Sequence, residues 1–134
     1  MKTQESTENY LETILMLSHS GLPVRSIDIA NELGFAKPSV SIAMKNLRAK
    51  GHIHMGADGF ITLSESGHEI AKSMYERHML ISEWLILLGV ERQTAIQDAC
   101  KMEHVMSQQS FAAIKQHVEE WKRNAQTIKK REME

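Results

Sequence analysis

The sequence contains one cysteine, at position 100, so no internal disulfide can form. A bridge-stapled scaffold is excluded, and the usage fits a reducing cytoplasm. Long apolar runs are missing as well. The longest, Trp84 to Leu88, falls far short of the roughly 20 residues that a membrane-spanning helix needs. The opening MKTQESTENY has no apolar stretch, so no signal peptide is expected. Neither charge sign is in excess: 16 Lys and Arg against 17 Asp and Glu leave a net of −1. Any nucleic-acid binding must therefore rest on a local patch. No internal repeat or low-complexity segment is visible.

What remains is an ordinary soluble composition, 42% hydrophobic and 25% charged over 134 residues. That suffices for one domain or two small coupled ones. The nine methionines are explained most simply by flexible packing. The local patch lies between Arg25 and Lys50. Five basic residues (Arg25, Lys37, Lys45, Arg48, Lys50) face two acidic ones (Asp28, Glu32), a local net of +3.

Punctuation along the chain gives the architecture. A first helix is expected from near Ser6-Thr7 to about His19, with Tyr10, Leu11, Ile14 and Leu17 as its apolar stripe. Ser26 opens a short helix closed by Gly34. Pro38 suits the first turn of a third helix, which carries Val40, Ala43, Met44 and Leu47 inward and stops at Gly51. His52–His54 and Phe60–Thr62 read as strands around the Ala57-Asp58-Gly59 turn. A long helix follows from Ser64 to about Leu88, with Ile70, Met74, His78, Ile81, Leu85 and Leu88 as its stripe. A helix over Glu91–Met106 comes next, then a last one, capped by Ser107, that runs into a charged tail. This order predicts a mainly α protein: a winged helix-turn-helix over 1–63, then a helical module over 64–134.

In such a unit one helix braces the DNA backbone and the next enters the major groove. Lys37, Pro38, Ser39 and Ser41 lie near the N-terminus of the reading helix, where backbone N–H groups attract phosphate. Lys45 and Arg48 follow along it, and Arg25 precedes the bracing helix; these are the expected phosphate contacts. The wing tip at Asp58 is acidic and makes a poor clamp. A plain three-helix unit with a wet charged face would show the same pattern.

The second half carries a different chemistry. In Cys100-Lys101-Met102-Glu103-His104, helical spacing gathers a thiol, a carboxylate and an imidazole on one face. The inward stripe is expected to be Ile96, Ala99, Cys100, Glu103 and Met106. A carboxylate on an apolar stripe is costly unless paired or metal-bound. His78 raises the same question from another helix, and Glu12, one turn after Asn9, offers a further donor. Singly, a stripe histidine is more often a core residue and a lone cysteine a small hydrophobe. Together the donors suit a divalent transition metal better than calcium or magnesium.

These residues carry a resemblance. Glu8-Asn9-Tyr10-Leu11-Glu12, Lys37-Pro38-Ser39-Val40-Ser41, Leu63 through Gly67, Arg77-His78 and CKMEHVMS (Cys100–Ser107) are similar to the diphtheria-toxin-repressor/manganese-transport-regulator family of metal-activated repressors. The likeness covers nearly all of residues 5 to 120, in the short form without an SH3-like domain. It implies a homodimer whose winged helices bind palindromic operators in double-stranded DNA. Dimerisation would use the C-terminal helices, with metal at the junction of the two modules. The implied ligands are Asn9, Glu12, His78, Cys100, Glu103 and His104. Cys100, Glu103 and His104 match iron-responsive members, whereas Glu12 and His78 match manganese-responsive ones. Asn9 matches neither, and Ser82 and Ile96 replace a Glu and a His of the iron-type ancillary site. Softness disfavours strict manganese selectivity, and cellular availability then puts Fe(II) ahead of Mn(II).

Three other readings stand beside a metal-activated repressor. One is a regulator answering an organic ligand or oxidation of Cys100. Another is a small metalloenzyme, disfavoured because no separate general base or nucleophile accompanies the donors. The last is an interaction module with no DNA role, against which the helix-turn-helix argues.

Overall fold

The computed structural model describes residues 2–133. In chain order it comprises α1 (Lys2–Ser18), α2 (Ser26–Leu33), α3 (Lys37–Ala49), β1 (Ile53–Met55), β2 (Ile61–Leu63), α4 (Glu65–Leu87), α5 (Arg92–Val105) and α6 (Gln108–Met133). This is the expected mainly helical order, with a winged helix-turn-helix leading into a helical module. Among the described residues no helix is long and apolar enough to cross a membrane. The chain forms two compact units, Met1–Glu76 and Arg77–Glu134. Their division falls within α4, further along than the 63/64 division read from the sequence.

The first unit has one apolar core. Leu11, Ile14 and Leu15 of α1 join Ile29 and Ala30 of α2, Val40, Met44 and Leu47 of α3, and Ile53 and Ile61 of the hairpin. On α3 the spacing 40, 44, 47 keeps those side chains on one helical face. Gly34 ends α2 at φ 69°, a left-handed conformation that glycine adopts without steric cost. From it the chain turns directly into α3. Helix α1 starts at Lys2 rather than near Ser6-Thr7. Nothing in the polar opening breaks a helix, and Glu5 in the first turn complements the N-terminal dipole.

Both strands begin one residue later than expected. His52 is taken by the exit from α3, its N–H donating to the Leu47 carbonyl at 3.0 Å. The antiparallel register pairs Ile53 with Leu63 and Met55 with Ile61. It buries Ile53 and Ile61 while His54 and Thr62 face out. The Ile61 N–H also donates to the Val24 carbonyl at 2.8 Å, tying the wing to the segment before α2.

The first turn of α4 lies hard against the hairpin. The Ser64 hydroxyl donates to the Gly51 carbonyl at 2.7 Å. A Cβ added at Gly67 would stand 2.0 Å from the His52 carbonyl oxygen, a backbone atom that cannot swing aside. Gly67→Ala is therefore expected to destabilise the first unit by about 2–3 kcal/mol, the cost of overpacking a tight contact. Chemical denaturation of the variant checks this, and an unchanged midpoint would contradict the contact.

In the second unit the buried side chains are Arg77, Ile81 and Ser82 of α4, Ala95, Ala99 and Glu103 of α5, and Phe111 and Val118 of α6. The inner line of α5 is rotated from the one expected. Ile96 is 38% exposed and Cys100 is exposed, whereas Ala95, Ala99 and Glu103 form a line of i, i+4 steps. Two alanines leave little bulk on that face, so the longer Ile96 lies at its edge, lining an open cleft with His78, Met79 and Ser82. Ser107 does cap α6, its hydroxyl oxygen accepting the Ser110 N–H at 3.1 Å. The stretch expected to be a charged tail is helical to Met133. Lys130 and Arg131 in its last turn complement the C-terminal dipole.

Candidate metal centre and DNA-reading face

Three of the expected metal ligands come together within the second unit. Glu103 on α5 is completely buried. Its Oε2 lies 3.2 Å from His78 Nδ1 on α4, and its Oε1 lies 3.3 Å from His104 Nε2 on the next residue. Neither carboxylate oxygen accepts a hydrogen bond, and His78 Nδ1 makes none. The two imidazoles therefore approach Glu103 at ion-pair distance without directing an N–H at it. A buried carboxylate in that state carries a desolvation cost that no hydrogen bond offsets.

The donor set can be tested against a metal. Ligand atoms about 2.1 Å from an ion lie about 3.0 Å apart in an octahedron and about 3.4 Å apart in a tetrahedron. The observed 3.2 and 3.3 Å fall between these limits, so each imidazole nitrogen, paired with its own Glu103 oxygen, stands at a spacing that donors to a divalent transition ion adopt. The spacing selects neither geometry. Cys100 lies on α5 one turn before His104, and it is exposed. Glu12 and Asn9 both lie on α1, in the first unit. Glu12 is buried, whereas Asn9 is partly buried and its backbone carbonyl accepts the Thr13 hydroxyl at 2.8 Å.

Arg77 is the residue whose role the sequence did not reveal. It precedes His78 on α4 and is 8% exposed. Its Nη1 donates to the Glu103 carbonyl at 3.1 Å and to the Met106 carbonyl at 2.6 Å; its Nη2 donates to Gln108 Oε1 at 3.1 Å. The guanidinium also lies 5.3 Å from the centre of the Phe111 ring. It thus caps the C-terminal carbonyls of α5, where a cation is favourable, and holds the entry to α6. The available signal was helical spacing: 70, 74, 77 and 81 fall on one face as readily as 70, 74, 78 and 81. An arginine there needs buried acceptors, which a sequence does not display.

The residues expected to contact DNA lie in the first unit. Arg25, Lys37, Pro38, Ser39, Ser41, Lys45 and Arg48 are all exposed. Helix α3 carries Lys37, Lys45 and Arg48 and no acidic residue. Its N-cap residue, Ala36, supplies no side-chain acceptor, so the first N–H groups of α3 are available to an anion. Arg25 is the residue before α2, and its guanidinium stacks over Phe60 of the wing at 4.4 Å. At the wing tip, Asp58 Oδ1 accepts the Phe60 N–H at 3.0 Å, so its charge serves the turn.

Comparison with known proteins yields the same two halves. A profile described as the iron-dependent repressor N-terminal DNA binding domain matches residues 2–59. One described as the iron-dependent repressor metal binding and dimerisation domain matches residues 64–130. An uncharacterised HTH-type transcriptional regulator of Methanocaldococcus jannaschii is 32% identical over 120 residues, covering 88% of this chain and 96% of its own. The transcriptional regulator MntR of Salmonella typhimurium is 32% identical over 111 residues, covering 83% of this chain and 71% of its own. A solved manganese-dependent transcriptional repressor in complex with manganese superposes with a TM-score of 0.75 at 26% identity. That match takes in 81% of this chain, which spans half the length of the other. With residues 2–59 matched by one profile and 64–130, which include His78, Glu103 and His104, by the other, the chain belongs to the iron-dependent repressor family of DNA-binding regulators.

Proposed function

We propose that this chain is a metal-activated transcriptional repressor that binds a palindromic operator as a homodimer. The observation that carries the metal part is the buried Glu103 carboxylate facing two imidazole nitrogens with no hydrogen-bond donor of its own. His78, Glu103 and His104 form the ligand core. The family likeness adds Glu12 and Asn9 from α1, and Cys100 as a soft donor. When bound, a divalent cation supplies the positive charge that Glu103 needs in a buried setting. His78 and Glu103 then tie α4 to α5, and Arg77 keeps the α5 carbonyls in register with them. One oxygen and two imidazoles suit several first-row ions. Recruitment of the Cys100 thiolate tilts the preference toward Fe(II) over Mn(II).

Lys37, Lys45, Arg48 and Arg25 supply phosphate contacts, while Pro38, Ser39 and Ser41 approach the bases. The apolar groove lined by Trp84, Leu87, Leu88, Val118 and Trp121 offers a face for the second copy. The matching profile covers that stretch and carries dimerisation in its description. As a DNA-binding regulator the protein is not an enzyme, and the proposed residence is the cytoplasm. Metal must favour the DNA-binding form by about 1–3 kcal/mol, the usual range of allosteric coupling, or roughly 5- to 150-fold in affinity.

Fluorescence-anisotropy titrations of a duplex selected from a random library test this. They would use Mn(II), Zn(II), anaerobic Fe(II) and a chelator in parallel. DNA binding should strengthen at least fivefold with metal, most with Fe(II). Affinity unchanged by the chelator would favour a regulator answering another signal.

A further inference from the structure

Helix α3 carries a residue that phosphate chemistry does not explain. Ile42 is 61% exposed. It lies two residues from Val40, which is fully buried, and at 3.6 residues per turn it points about 200° away from that seam. The outward line therefore runs Pro38, Ile42, Lys45, with all three exposed and Ile42 at its centre. Lys37, Lys45 and Arg48 share the exposed surface of the helix, on one flank of Ile42, and no acid stands on the helix. A mid-helix position on the face opposite the core thus carries a side chain with neither donor nor acceptor.

That chemistry limits what Ile42 can read. In the major groove, bases are told apart by hydrogen-bonding groups and by one apolar group, the 5-methyl of thymine. An isoleucine can use only the last. We propose that Ile42 is a specificity-determining residue that packs on a thymine 5-methyl group in each half-site, with the cations of the same helix holding phosphates beside it. The inference rests on the DNA-binding reading above and adds the identity of one base and the atom by which it is known. Losing the methyl forfeits about one buried carbon, about 0.8 kcal/mol or roughly fourfold in affinity per half-site. Replacing it in both half-sites costs roughly 15-fold if the two add.

The test replaces thymine by uracil, which removes the methyl and leaves pairing and hydrogen-bonding edges intact. A random duplex library is selected on the full chain with Mn(II), and the strongest duplex is remade with single uracils. The wild-type protein should lose about fourfold at one thymine per half-site. Ile42→Ala should bind the thymine and uracil duplexes equally, and Ile42→Val should keep part of the difference. Uracil tolerated at every position by the wild type would overturn the proposal. So would an undiminished penalty in Ile42→Ala, which would assign the methyl to another group. If no duplex is enriched with Mn(II), Zn(II) or anaerobic Fe(II), the DNA-binding reading fails and takes this inference with it. Ile42 is exposed and outside the core, so its variants fold.

Discussion

Glu103→Leu is expected to abolish metal-induced stabilisation while leaving the metal-free protein at least as stable as the wild type. Glu103 is fully buried, and neither of its oxygens accepts a hydrogen bond. Replacing buried ionic groups by apolar residues of similar volume is often neutral or stabilising by about 1–4 kcal/mol. A leucine fills the volume and removes the buried charge together with both unsatisfied acceptor oxygens. The same substitution removes the only carboxylate of the ligand core in the second unit. At a metal concentration 100 times the wild-type dissociation constant, the wild type gains about 2.7 kcal/mol on binding, and the variant should gain none. Thermal melts with and without Mn(II), paired with DNA titrations, read both halves of the expectation. A melting shift with metal equal to that of the wild type would remove Glu103 from the site. Glu103→Gln keeps a polar buried group and should lose the metal response without the gain in stability.

Arg77→Met is expected to destabilise the second unit by about 3–4 kcal/mol, although the side chain touches none of the metal donors. The substitution preserves apolar length but leaves the Glu103 carbonyl, the Met106 carbonyl and Gln108 Oε1 without their donor. A buried acceptor left unsatisfied costs about 1–3 kcal/mol. The Glu103 carbonyl is of that kind, while the two part-buried acceptors add less. A purely structural arginine would change only the unfolding midpoint. A positioning residue should also weaken Mn(II) binding under conditions where the variant is still folded, by about 10- to 100-fold, as outer-sphere partners do. Arg77→Lys keeps the charge with a single donor head and should recover part of both losses. Midpoint and Mn(II) affinity both equal to the wild type would show that the carbonyl cap is dispensable.

How far the sequence revealed this protein differs between its halves. The helix-turn-helix was legible because Gly34 and Pro38 mark backbone events that depend on the residue itself: a left-handed cap and a helix start without an N–H. The strands were legible in kind but misplaced by one residue. The apolar alternation of Ile53, Met55, Ile61 and Leu63 was present, but the donation of the His52 N–H to Leu47 was not visible. On α5, spacing alone placed 96, 99, 100 and 103 together as acceptably as 95, 99 and 103. Choosing between lines separated by a small rotation requires knowing what each face meets, and Cys100 was carried inward by that ambiguity. Glu103 fell on both lines and survived it. Ile42 is hidden in the sequence for the opposite reason. An apolar residue in a helix is presumed to face the core, and only the folded chain shows that this one faces away.

The manner in which Arg77 grips α5 has a consequence for how such a sensor can change. Two of its three acceptors are main-chain carbonyls, at 103 and 106, which every amino acid carries alike. The frame is thus indifferent to the side chains it presents, much as a socket is indifferent to the bulb. With the proposed ligands, exchanging the group at position 100 or 104 would alter which ion is preferred without disturbing the carbonyls that Arg77 holds. A lineage could retune its chemical sensitivity by single substitutions, each tolerated on arrival, because architecture and selectivity are written in different atoms of the same few residues.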